Sequence, residues 1–164
     1  MEYPSPVGTL TVVSRGEGII GLWIQGQKYF AQGLPALPEP GERSGVLARA
    51  ADWLDRYFAG QRPRPGELSL TPAGSAFRRR VWRLLEEIPY GQTVSYGQLA
   101  ARLGSSPRAV GGAVGHNPIS IIIPCHRVIG SGGELTGYAG GVERKRWLLK
   151  HERGEREEGS TRRR

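Results

Sequence analysis

A chain of 164 residues with 38% apolar content, 25 Gly and 12 Pro is long enough for one ordinary domain or two small ones. Its single cysteine excludes an internal disulfide, one Cys with three His makes no cluster for structural zinc, and no apolar run nears the roughly 20 residues needed to span a bilayer. The net charge of +8 is uneven: residues 1–72 are neutral overall and residues 73–153 carry +7, which suits either a polyanionic partner or a solvated basic surface. Met1-Glu2-Tyr3-Pro4 has neither the basic start nor the apolar stretch of a signal peptide, so the expected compartment is the cytoplasm.

Thr9 to Ser14 and Ile19 to Gln25 are rich in β-branched and apolar residues on either side of Gly16-Glu17-Gly18, which predicts a hairpin within a sheet of two or three antiparallel strands. From Gly45 to Phe58, the residues Val46, Leu47, Ala50, Trp53, Leu54, Tyr57 and Phe58 recur at helical spacing, and Gly60 stops the helix they predict. Gln61-Arg62-Pro63-Arg64-Pro65-Gly66 marks the domain boundary, ahead of a short apolar segment at Leu68 to Leu70. Two domains are therefore expected, 1–72 and 73–153, with a charged, disordered tail over 154–164.

Ser75 is the expected N-cap of a helix whose apolar face runs from Phe77 through Val81, Leu84 and Leu85 to Ile88. Pro89-Tyr90-Gly91 ends it. Ser95 then caps a short helix closing at Gly104, and Ser105 or Ser106 with Pro107 opens another through Val114. Two short helices joined by a tight glycine turn in a basic region fit a helix-turn-helix, or another small helical domain. In the second helix Gly111 and Gly112 each cost roughly 1 kcal/mol relative to Ala. Their presence points to close approach of a backbone, either by an outside partner or within the protein.

Ile119 to Ile123 leads into Pro124-Cys125-His126-Arg127-Val128. Adjacent residues of a regular strand face opposite ways, so Cys125 and His126 cooperate only on irregular backbone, which Asn117-Pro118 and Pro124 supply. A thiol with an ordinary pKa near about 8.5 is mostly protonated at neutral pH, and a nucleophile needs a base and positive surroundings, here His126 and Arg127. The residues alone leave three readings, an inert buried thiol, a reactive nucleophile and a chance pairing. Two glycine-rich turns, Gly130 to Gly133 and Gly137 to Gly141, flank Glu134-Leu135-Thr136 without the spacing of a nucleoside-triphosphate loop. A last helix is expected over Val142 to His151 with Trp147, Leu148 and His151 on its apolar side, which by itself leaves Glu152 an exposed terminal carboxylate.

Taken together, Arg108-Ala109-Val110-Gly111-Gly112-Ala113, Asn117-Pro118, Ile123-Pro124-Cys125-His126-Arg127-Val128, Gly137-Tyr138-Ala139-Gly140-Gly141 and Trp147-Leu148-Leu149-Lys150-His151-Glu152 closely resemble the O6-alkylguanine-DNA alkyltransferases. The resemblance is dense over residues 73–153 and extends upstream through Ser5-Pro6-Val7-Gly8 and Gly26-Gln27-Lys28-Tyr29-Phe30. It implies an α/β (α+β) fold, with an N-terminal ribonuclease-H-like mixed domain followed by a winged-helix-like helix-turn-helix domain. The implied activity is single-turnover transfer of an alkyl group from O6-alkylguanine in DNA to Cys125, with no cofactor and no metal.

By the same resemblance, Glu152, His126 and a bridging water make the thiolate, and Asn117 ties the active-site turn to the recognition helix. Tyr96 helps rotate the nucleotide and donates toward guanine N3, while Arg108 fills the gap in the base stack. Ala109, Gly111 and Gly112 let the helix into the minor groove of double-stranded DNA, Ser131 adds a further DNA contact, and Val114, Val128, Tyr138 and Ala139 line the base pocket. A monomer that acts without a membrane is implied. Two other classes stay open on the residues: a cysteine hydrolase that turns over, and a DNA-binding sensor that transfers nothing. His116 has no role in the resemblance.

Overall fold

The computed structural model describes residues 1–34, 37, 45–135 and 137–155. Thr136, between the two glycine turns, and the expected tail from residue 156 onward lie outside the described residues.

Strands β1 (Glu2–Tyr3), β2 (Leu10–Arg15) and β3 (Gly18–Ile24) form an antiparallel sheet in that order, with Leu10 opposite Ile24 and Val12 opposite Leu22. This register puts those four apolar side chains on one face, where helix α1 (Gly45–Phe58) covers them with Val46, Ala50, Trp53, Leu54 and Tyr57. The linker then returns to the same sheet: Ile19 N–H donates to Ser69 O, and Thr71 N–H to Ile19 O.

Helix α2 (Ala76–Leu85) starts at Ser75, whose side chain accepts from Arg78 N–H. Helices α3 (Tyr96–Leu103) and α4 (Pro107–Gly115) come next, each capped by a serine, Ser95 and Ser106, that accepts from the backbone three residues on. Such a cap is worth about 1 kcal/mol. Gly104 ends α3 in the left-handed conformation and turns the chain into α4. The pair packs on α2, where Trp82 Nε1 donates to Ala113 O at 2.8 Å. Between α2 and α3 a short strand, β4 (Val94–Ser95), pairs in parallel with β5 (Val128–Ile129), and α5 (Val142–Glu152) closes the structure.

One continuous core runs through both halves, from Tyr3 to Leu148. The hinge between them is the edge of β3: Leu22 N–H donates to Pro118 O, and Ser120 N–H to Leu22 O. The segment Ile119–Ile123 is consequently a chain of turns pinned to the N-terminal sheet, with Ile121 held at φ +72°. A buried β-branched residue in that conformation costs about 1–3 kcal/mol and persists only where its surroundings hold it. Those surroundings thereby position the single turn of 3₁₀ helix Cys125–Arg127.

Candidate active site and nucleic-acid interface

Asn117 sits between α4 and the cysteine turn. Its amide donates to Ile123 O at 2.8 Å and its side-chain oxygen accepts from Ile119 N–H at 3.0 Å, so it fastens both ends of the turn. Burial pushes the Cys125 thiol up to about 11, while a hydrogen bond from the Asn117 side chain and the charge of Lys145 pull the other way. Cys125 is a neutral thiol at rest.

His126 and Glu152 are buried like the thiol. The Glu152 carboxylate, at the end of α5, accepts from His126 Nε2 at 2.5 Å, from Arg127 Nε and Nη2 at 2.8 and 3.0 Å, from the Tyr57 hydroxyl at 2.7 Å and from Gly91 N–H at 3.1 Å. Burial works against its charge, but His126 and then Arg127 outweigh that and hold the carboxyl far below the usual range. An ionised carboxylate only accepts, so Nε2 carries the imidazole hydrogen. Burial also keeps the His126 pKa below its ordinary value, against the pull of Glu152. Burial thus favours the neutral imidazole, whose lone pair is on Nδ1, and Nδ1 has no hydrogen-bond partner among the described residues. This is the electronic state of a general base.

Three expectations are corrected. Arg127 does not face the thiol: it is buried against Glu152, and its Nη1 donates to Ile88 O at 2.7 Å. The cation whose charge reaches Cys125 is Lys145, fully buried on α5 near the face of Tyr96, its ammonium at 5.9 Å from the ring centre. Burial lowers its pKa to about 8, partly offset by Cys125. Glu152 is likewise no exposed terminus. The buried stripe of α5 is Lys145, Leu148, Leu149 and Glu152, a helical repeat of i, i+3, i+4 and i+7, whereas Trp147 and His151 stack on each other at 4.9 Å on a half-buried flank. That spacing was readable; a Lys and a Glu on it made it look polar.

Tyr57 is the other residue that the periodicity hid. It counts as an apolar member of α1, yet its hydroxyl carries the N-terminal domain into the Glu152 cluster.

The residues expected to meet DNA lie at the surface. Arg108 and Ala109 are exposed on the first turn of α4, and Ser131 is exposed on the turn after β5, sharing a shallow cleft with Ser95 and Gln98. A methyl group added at Gly112 or Gly115 would meet nothing within 4 Å, and one at Gly111 only the Tyr96 ring at 4.0 Å. Packing inside the protein does not require these glycines, so the smooth face they make is turned outward. Tyr96 lies under that helix, its hydroxyl raised to about 12 by burial and by the nearby Cys125, which leaves it a neutral donor. Gly137, at φ +73°, passes so close that a side chain there would begin 3.1 Å from the Tyr96 oxygen.

A cavity of about 420 Å³ opens between these parts, lined by Gly111, Gly112, Gly115, Gly137, Tyr138 and Ala139 among others. Tyr138 also meets His126 edge to face at 6.4 Å. Val114 and Val128, expected at the base pocket, belong to the shared core and do not line this cavity. No group of three or more potential metal ligands occurs among the described residues.

Fold and site together define a two-domain protein in which a helix-turn-helix module carries a buried cysteine followed by a histidine that is bonded to a buried carboxylate. The family model described as 6-O-methylguanine DNA methyltransferase, ribonuclease-like domain, matches residues 2–72, and that described as the DNA binding domain of the same protein matches residues 76–154. The methylated-DNA--protein-cysteine methyltransferase of Mycobacterium bovis is 46% identical over 151 residues, 91% of this chain and 88% of that protein. The protein of that name from Haemophilus influenzae is 43% identical, over 92% and 84% respectively. The crystal structure of Mycobacterium tuberculosis OGT in complex with DNA superposes with a TM-score of 0.82 at 43% identity, covering 93% of this chain and 91% of that one. The chain belongs to the 6-O-methylguanine DNA methyltransferase family.

Proposed function

We propose that this protein repairs DNA by direct reversal, moving a methyl or other alkyl group from guanine O6 to Cys125, once per molecule. The observation that carries the reading is the buried thiol beside a neutral imidazole with an available Nδ1, backed by an ionised carboxylate. As the S–C bond forms, the C–O bond breaks and its electron pair passes to the purine. The thiol proton goes to His126 Nδ1 through a bridging water, Glu152 stabilises the imidazolium, and guanine leaves after taking up one proton in return. Tyr96 donates toward guanine N3 and offsets the charge on the leaving base. Asn117 holds the turn, and Tyr138 and Ala139 flank the base, with Val114 and Val128 behind them.

A thiol cannot reach O6 inside a duplex, so the nucleotide must be flipped. The exposed Arg108 would fill its place in the stack while Ala109, Gly111 and Gly112 lie along the minor groove and Ser131 meets the backbone. Support comes from the open surface at Gly112 and the net +7 of residues 73–153. We assign the protein to the cytoplasm as a monomer without cofactor or metal, divided into domains over 1–72 and 73–153; a lone reduced thiol suits that compartment.

Incubation with a duplex carrying one O6-methylguanine should raise the intact mass by one methylene, located on Cys125 by peptide mapping. A folded sample that gains no mass sinks the transfer reading and leaves a lesion-binding sensor. Repeated turnover of an acyl ester would identify a hydrolase instead.

Lys145 gives a second expectation. Lys145→Met removes the cation that favours the thiolate, so reaction with free O6-benzylguanine at pH 7 should slow about tenfold, because the loss of thiolate outweighs the gain in intrinsic nucleophilicity that accompanies a higher thiol pKa. The wild-type rate profile should also bend near pH 8, where Lys145 loses its proton, and the variant's should not. A shared bend would assign that titration elsewhere.

A further inference from the structure

The turn after β3 belongs to the N-terminal domain, yet it reaches the cavity between α4 and the Gly137 to Gly141 turn. Lys28 and Tyr29 line that cavity together with Gly111, Gly112 and Gly115 of the recognition helix. Their placement is specific. Lys28 N–H donates to Ala139 O at 3.0 Å, and Gln27, buried beneath, accepts from Ile24 N–H at 2.7 Å and donates to Lys28 O at 3.0 Å. These bonds hold Tyr29 at φ +60°, a conformation that costs a bulky residue energy and that clusters at functional sites. One face of the Tyr29 ring stacks on His116 at 4.0 Å and 24°. His116 in turn closes the end of α4, its Nδ1 bound to Gly112 O at 2.8 Å.

The result is an aromatic residue fixed in an unfavourable backbone conformation while 42% of its surface stays exposed. An exposed lysine stands beside it. Nothing in the fold needs a large ring there, because the core is complete beneath it and the stack lies outside that core. What the arrangement offers is a hydroxyl and an ammonium at the rim of a cavity whose other walls include Tyr138 and Ala139, the residues that the repair reading sets beside the flipped base. A nucleotide rotated into that cavity brings its flanking phosphates to the rim, and phosphate is the group that Lys and Tyr donors bind.

We propose that Lys28 and Tyr29 of the N-terminal domain bind a backbone phosphate of the lesion strand next to the flipped nucleotide, with His116 as the positioning residue that holds the tyrosine ring. The DNA interface then spans both domains instead of residing in the helix-turn-helix alone, and β3, which pins the cysteine turn through Leu22, also carries the phosphate clamp. The inference rests on the DNA-repair reading and names a further part of its binding surface.

The test uses the full chain with Lys28→Met, Tyr29→Phe and Tyr29→Asn; asparagine tolerates the left-handed backbone and removes the ring. Binding of a fluorescent duplex carrying O6-methylguanine is measured across a salt series, and reaction with free O6-benzylguanine is measured separately. Each variant should bind the duplex about tenfold more weakly, as expected for loss of a hydrogen bond to a charged group. Lys28→Met should also reduce the slope of log affinity against log salt by about 1. Rates on the free base and melting temperatures should match wild type. Unchanged duplex affinity and slope overturn the proposal, as does an equal loss on duplex and free base, which would mean that the turn only shapes the pocket. Failure of the wild-type protein to accept an alkyl group at all would instead overturn the repair reading, and that outcome is visible in the mass before any variant is made.

Discussion

Cys125→Ala is expected to abolish alkyl transfer while retaining affinity for the lesion duplex. The residue is buried in a turn fastened by Asn117 and by the β3 edge through backbone carbonyl and amide groups, and the substitution removes only the further contact of the Asn117 side chain with the sulfur. Trimming it to alanine should cost stability only at the typical scale of about 1 kcal/mol. The Glu152 cluster is untouched, and so are Arg108 and the open face of α4. Intact mass after prolonged incubation with alkylated duplex should stay constant, and the dissociation constant should remain within about twofold of the unreacted wild type, or about 0.4 kcal/mol. An adduct that persists in this variant would place the acceptor elsewhere. Loss of binding together with native folding would mean that the thiol serves recognition, not chemistry.

The second large effect is expected at Glu152. Glu152→Gln replaces an acceptor of five protein hydrogen bonds with a group that has one acceptor atom and two donors of its own. Arg127 keeps its charge but loses its counter-ion in a buried site, a change that typically costs about 3–5 kcal/mol. His126 loses the carboxylate that fixes its tautomer, so transfer should slow by roughly 10² to 10⁴, the usual contribution of a positioned general base. Rates on free O6-benzylguanine and thermal unfolding at matched pH measure the two effects. A variant that folds and reacts at the wild-type rate would remove Glu152 from the relay.

The same carboxylate predicts the acid limit of stability. Its folded pKa lies far below the unfolded value of about 4.3. The group therefore stabilises the fold fully above that unfolded value, and the contribution is lost as pH falls through the depressed folded pKa. Wild type should lose melting temperature steeply below about pH 4, and Glu152→Gln, already without the charge, should lose less over the same range.

How far the sequence could be read depended on the range of each interaction. The bounds of α1, Gly45–Phe58, derive from an apolar stripe, and α3 and α4 begin where Ser95 and Ser106 cap them and turn at Gly104. All of these are contacts within a few residues. The proline-framed cysteine turn was legible for the same reason, and its likeness to a known family carried the reading of Cys125, His126 and Glu152. Arg127 was misplaced because adjacency in sequence says nothing about which way a side chain leaves a turn of 3₁₀ helix. Lys145 escaped notice because helical periodicity counts apolar residues and treats a charged one on the buried stripe as surface.

The sequence by itself determined the helices, the hairpin, the basic second half and the identity of the thiol and its neighbour, because local spacing and capping fix these. Only the tertiary structure decided the state of that thiol. Tyr57 reaches Glu152 across 95 residues, Gly91 across 61 and His126 across 26, and Leu22 holds the turn from another domain. A pKa is set by burial and by the charges that long-range packing brings near. So the position of the thiol was written locally, while its protonation, the buried His126–Glu152 pair and the open face of α4 exist only when the chain is folded.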